Sequence, residues 1–175
     1  PDLATLLRDR FRLPSFRPHQ EAVCHAVVNG QDVLLIMPTG AGKSLCYQIP
    51  ALLRPGTAIV ISPLIALMQD QVAALREAGV RAACIHSGQD GIESDRAERA
   101  FADGELDLLY VSPERLLSPR FTWLLSQAER HGLAAVAALP DDLALLARRQ
   151  RHHHTVAVDR VVVDDEHPDH RGTPV

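Results

Sequence analysis

The chain has 175 residues, enough for one α/β domain with a substantial core. With 46% hydrophobic and 23% charged residues it reads as globular, and no apolar run approaches the length of a membrane span. Its net charge of −4 argues against broad, charge-driven nucleic-acid binding, though not against a local groove.

Leu3, Leu6, Leu7 and Phe11 recur at helical spacing and predict a helix over 2–12. Pro14 and Pro18 break it, and Pro18 suits the first turn of a second helix that ends near Asn29-Gly30. Gln20 falls in that first turn. Its amide can donate and accept at once and so can pair with an adenine edge; by itself, a glutamine in this position is more simply a solvated residue.

Residues 31–44 read Gln-Asp-Val-Leu-Leu-Ile-Met-Pro-Thr-Gly-Ala-Gly-Lys-Ser. An apolar run from Val33 to Met37 ends in a glycine-rich turn and a helix-forming stretch follows, the context that a phosphate-binding loop requires. Gly40 and Gly42 let the backbone reach positive φ and approach phosphate oxygens. Backbone N–H groups can then face an anion from a helix N-terminus. Lys43 can put a mobile charge on the outer phosphates, and Ser44 can offer its hydroxyl to Mg²⁺. Lys43 is also the only lysine in a chain that otherwise uses arginine. Met37 stands where the general loop has its leading glycine.

Leu45 to Leu53 continues as a helix that Pro50 can kink. Thr57–Ile61 reads as a buried strand ending in Ser62-Pro63, and 65–78 as an amphipathic helix stopped by Gly79. Arg81–Ile85 is a strand leading into His86-Ser87-Gly88-Gln89, and 92–101 is a helix that is mostly charged on its outside. Leu106–Val111 is a strand ending in Ser112-Pro113-Glu114-Arg115, with more helix through Arg130. This alternation predicts an α/β fold with a parallel sheet and helices on both faces. Ligands on such sheets bind at the carboxyl ends of strands, so the phosphate loop and both Ser-Pro turns should line one rim. Cys24, Cys46 and Cys84, odd in number and widely spaced, suit buried thiols in a reducing cytosol.

Four stretches together resemble the first RecA-like motor domain of RecQ-type DNA helicases, a superfamily-two P-loop NTPase fold. Phe11 to Gln20 resembles the family's adenine motif, F-G-x-x-x-F-R-P-x-Q. M-P-T-G-A-G-K-S-L-C-Y-Q-I-P-A, from Met37 to Ala51, resembles its phosphate loop with the following tail. V-I-S-P-L-I-A-L-M-Q-D-Q-V, from Val60 to Val72, and Y-V-S-P-E-R-L, from Tyr110 to Leu116, resemble motifs Ia and Ib. The resemblance covers about the first 137 residues, and four motifs in order make it specific. A P-loop kinase or transporter ATPase would explain only the loop.

The resemblance implies ATP and Mg²⁺ as cofactors, with Arg17, Gln20, Met37, Pro38, Thr39, Gly40, Ala41, Gly42, Lys43 and Ser44 around the nucleotide. It implies single-stranded or partly duplex DNA as partner, with Ser62, Gln71, Ser112 and Arg115 as candidates for a strand track, a role in DNA repair and recombination, and a cytoplasmic or nucleoid location. A backbone grip of this kind needs little sequence information. The two Ser-Pro pairs are equally readable as strand-to-helix caps. Arg12 stands where the family has glycine, and Leu13 where an aromatic often packs near the base.

The family's next strand ends in D-E-A-H, whose acids hold Mg²⁺ and position the attacking water. Here Leu133 to Ala137 begins such a strand, but Ala138-Leu139-Pro140-Asp141-Asp142 follows. Residues 138–175 lack aromatics, Ser, Ile and Lys and hold five of the nine histidines. Three readings stay open: an out-of-frame or joined translation; a divergent end in which 156–163 forms a strand and Asp164-Asp165-Glu166-His167 serves as a displaced acidic motif; or a metal site using His152-His153-His154. The tail is expected to be the least ordered part. With no second motor, the chain alone is not expected to unwind DNA; a non-catalytic nucleotide- or DNA-binding remnant is the rival reading.

Overall fold

The computed structural model describes residues 2–37 and 40–128, together with the backbone of Leu133–Ala138 and Arg160–Val163. Helix α1 (Leu3–Asp9) is capped by Asp2, whose carboxylate accepts from the Thr5 N–H at 2.7 Å. It buries Leu3, Leu6 and Leu7, as their spacing predicts, but stops short of residue 12. Arg12 instead takes φ +55°, a left-handed conformation that glycine adopts without penalty. The glycine of the resembling motif thus answers a backbone need that Arg12 meets under strain.

Helix α2 spans Gln20–Val28 and strand β1 Asp32–Leu35. Helix α3 (Leu45–Leu53) carries Pro50 inside it, and α1, α2 and α3 share a core of Leu3, Leu6, Leu7, Cys24 and Ile49. Strand β2 (Thr57–Ile61), helix α4 (Ile65–Glu77), strand β3 (Ala82–Ile85), helix α5 (Gly91–Ala102) and strand β4 (Leu108–Val111) follow. Gly79, at φ +74°, ends α4 where the sequence places the stop. A short helix α6 (Pro113–Leu116), helix α7 (Pro119–Ala128) and strands β5 (Leu133–Ala138) and β6 (Arg160–Val163) complete the described chain.

Every strand pairing is parallel. Four strands run in the order β3-β4-β2-β5, and β1 pairs with β6 in a separate ladder. Strands β2, β3 and β4 are buried along their whole length, so alternate residues serve opposite faces. Ile59, Ile61, Ala83, Ile85, Leu109 and Val111 pack with Ala97 and Phe101 of α5 and Phe121 and Leu124 of α7. Their neighbours Ala58, Val60, Ala82, Cys84, Leu108 and Tyr110 pack with Met68, Val72 and Leu75 of α4. Helices therefore cover both faces, the α/β RecA-like arrangement expected from the alternation of elements. All three cysteines are buried and unbridged. Among the described residues no helix is long and apolar enough to cross a membrane.

Beyond Ala138, only Arg160–Val163 is described. Asp165, Glu166 and the histidines at 152–154 lie outside the described residues, as do Pro38 and Thr39 of the phosphate loop.

Candidate functional site

The candidate phosphate loop, residues 37–44, leaves β1 and enters α3. Gly40 and Gly42 take φ +82° and +85°, the positive values their positions call for. Lys43 turns back over its own loop, its Nζ donating to the Met37 carbonyl at 2.6 Å. Ser44 is the N-terminal cap residue of α3, yet its hydroxyl makes no capping bond. That uncommitted hydroxyl at a helix N-terminus fits a Mg²⁺ ligand, and the glycine geometry fits a phosphate cradle.

Arg17, just before α2, and Gln20, its first residue, grip this loop. Arg17 Nη1 donates to the Gly40 carbonyl at 2.7 Å. Gln20, only 1% exposed, accepts from the Arg17 N–H at 2.8 Å and donates to the carbonyls of Gly42 at 2.9 Å and Ala41 at 3.4 Å. Gln20 is therefore not solvated; its Nε2 holds the loop, and its oxygen is held by the Arg17 N–H. To meet an adenine edge as well, it would have to exchange one of these partners. A Cβ on Gly42 would lie 2.5 Å from Gln20 Nε2, in a backbone conformation already strained for an L residue. Gly42→Ala should thus lower stability by roughly 2 kcal/mol, from left-handed strain and a displaced amide. The cost should shrink in a Gln20→Ala background, and equal urea midpoints for Gly42→Ala and the parent would contradict this packing.

At the sheet's carboxyl end, Ser62 and Ser112 follow β2 and β4 side by side. The Ser62 N–H donates to the Val111 carbonyl and the Ser112 N–H to the Ile85 carbonyl, both at 3.1 Å. Both side chains are buried. The Ser62 hydroxyl accepts from the Leu64 N–H at 3.3 Å, and the Ser112 hydroxyl donates to Glu114 Oε1 at 2.7 Å. Gln71, on α4, accepts from Gln48 at 2.7 Å. Arg115 is tied to Ser94 at 2.9 Å and to Glu98 at 3.0 Å. The structure thus brings Ser62 and Ser112 together, and each of the four strand-track candidates has a protein partner.

Burial works to raise the Glu114 carboxyl, but hydrogen bonds from Ser112, from Ser87 and from backbone N–H groups outweigh it, holding its pKa below the ordinary 4.5. A depressed carboxylate stabilises the fold above its unfolded value, and that contribution is lost as pH falls through the lower folded value. Glu114→Gln should therefore lower stability at neutral pH and flatten the acid decline below about pH 4.5. Urea midpoints against pH that fall in parallel for variant and parent would contradict this.

Two functional-looking residues escape a reading of periodicity. Glu98 belongs to a helix that is mostly charged on its outside, but is itself 7% exposed, between Arg115 at 3.0 Å and Arg120 at 2.6 Å. Gln48 is 5% exposed and bridges α3 to α4 and β4. The only signal for it was a lone amide inside the apolar run Cys46-Tyr47-Gln48-Ile49.

Residues 17–168 match the DEAD/DEAH box helicase family. The chain is 45% identical over 129 residues to the ATP-dependent DNA helicase RecQ of Haemophilus influenzae, a match spanning 74% of this chain and 21% of that protein. It is 48% identical over 122 residues to the protein of the same name from Bacillus subtilis, spanning 69% of this chain and 21% of that one. The chain thus spans about a fifth of the length of these relatives. Among solved structures, the DUF1998 helicase MrfA superposes with a TM-score of 0.62 at 16% identity, over 95% of this chain and 33% of that one, a likeness of fold alone.

Proposed function

The chain belongs to the DEAD/DEAH box helicase family, among its RecQ-type members, and from that premise we propose that it is the ATP-binding part of a RecQ-like ATP-dependent 3′–5′ DNA helicase. It binds Mg-ATP at loop 37–44 and single-stranded DNA along the strand-end rim. The observation that carries this reading is the grip of Arg17 and Gln20 on the loop carbonyls of Gly40, Ala41 and Gly42. It joins the adenine-motif segment to the phosphate loop in one unit, which is what recognition of a whole nucleotide demands.

Within that unit the loop N–H groups and Lys43 bind the phosphates, and Gly40 and Gly42 leave room for the approach. Ser44 would hold the metal through its hydroxyl, and Asp165 and Glu166 would supply the acids if they form a displaced motif. When bound, Mg²⁺ neutralises charge on the outer phosphate oxygens. On the rim, the buried serine hydroxyls shape the turns while backbone N–H groups and side-chain amides meet the DNA backbone.

Two titrations of the whole chain test the reading, one with a fluorescent ATP analogue with and without Mg²⁺, one with a labelled single-stranded oligonucleotide, followed by ATP turnover with both present. Mg²⁺-dependent nucleotide binding and DNA-stimulated turnover are expected. Binding of both ligands without turnover would favour the non-catalytic remnant, and binding of neither would overturn the proposal.

A further inference from the structure

Gln48 lies on α3 four residues beyond Ser44. Its Nε2 donates to Gln71 Oε1 at 2.7 Å and to the Tyr110 hydroxyl at 3.2 Å. One amino group thus spends both its N–H bonds on two elements that carry the candidate DNA rim: Gln71 stands on α4, and Tyr110 precedes Ser112 by two residues on β4. The partner ring is itself fixed, since Tyr47 meets Tyr110 edge-on with centroids 6.5 Å apart and 69° between planes. Burial, and then its neighbour Tyr110, push the Tyr47 phenol far above its ordinary range, and burial raises Tyr110 too, so the cluster stays neutral.

The consequence lies in the polarity of Gln71. An amide presents oxygen at one end and N–H donors at the other. With its oxygen held by Gln48, Gln71 keeps its donor end for another partner, and a phosphate oxygen accepts but cannot donate. A buried glutamine costs more than an apolar residue of the same length unless its bonds are kept, so packing alone does not ask for one here. We propose that Gln48 is a positioning residue that sets the amide of Gln71 with its donors toward a nucleic-acid backbone, and so ties the helix following the phosphate loop to the rim. This rests on the DNA-binding reading of that rim.

The test uses the full chain, with single-stranded DNA affinity, Mg-ATP affinity and melting midpoint read for each variant. Gln48→Met and Tyr110→Phe should weaken DNA binding about fivefold, as for one lost or misdirected hydrogen bond, and leave nucleotide affinity within about twofold. Gln48→Glu should weaken DNA binding further, because a carboxylate draws the Gln71 donors inward. All three effects should vanish in a Gln71→Leu background. A merely structural Gln48 would instead lower the melting midpoint and both affinities together, additively with Gln71→Leu, and that result overturns the proposal. If Gln71→Leu weakens DNA binding but the Gln48 variants do not, the positioning role fails and the rim reading stands. If Gln71→Leu has no effect, both fail.

Discussion

Lys43→Ala is expected to weaken Mg-ATP binding roughly ten- to a hundredfold. A charge-assisted hydrogen bond contributes about 1.5–3 kcal/mol, and each 1.4 kcal/mol is a factor of ten. No second ammonium can substitute, since Lys43 is the only lysine in the chain. Lys43→Arg should restore little: the side chain reaches back 2.6 Å from the Met37 carbonyl in a tight loop, where a planar fork cannot follow the path of a compact ammonium. The fold should survive, because the clusters built on β2, β3 and β4 do not include the loop. Fluorescent-nucleotide titration beside a circular-dichroism melt separates the two effects, and near-parent affinity in a folded Lys43→Ala variant would remove the loop from the proposed site.

Asp165→Ala combined with Glu166→Ala should cut ATP turnover at least about a hundredfold while nucleotide binding persists, the size of effect seen when groups that stabilise developing charge are removed. The reason is register. Strand β6 runs parallel to β1 with Val163 opposite Leu35. Met37 lies two residues past Leu35, and Asp165 two residues past Val163, so both chains continue from the same end of one ladder. The matched control is Asp141→Ala with Asp142→Ala, which follow β5, the strand beside β2. Turnover lost only in the control would assign the acids to β5, and turnover unchanged in the 165/166 variant, with Lys43→Ala inactive, would end the displaced-motif reading.

The order of elements was legible because each carries a local signal. Gly79 stops α4, Gly30 follows α2 at φ +81°, and apolar runs mark β2 and β4. The glycine turn at Gly40 and Gly42 was legible too, since its positive φ values belong to contiguous backbone. The membership of residues in the two cores follows from alternation once the strands are known to be covered on both faces.

The α/β alternation, the glycine loop and the four motifs can be read along the chain, because periodicity, punctuation and tight turns are properties of sequence neighbours. The folded packing is needed to see that Gln20 faces the loop rather than solvent, that Glu98 is buried between two arginines, that Gln48 reaches Gln71 and Tyr110, and that β6 lies beside β1. Each of these joins residues 17 to 128 positions apart, and no local rule selects the partner of a polar side chain or the neighbour of a strand. Those choices are made when helices close over the sheet, where a buried amide or carboxylate must find its hydrogen bonds among whatever the packing brings within reach.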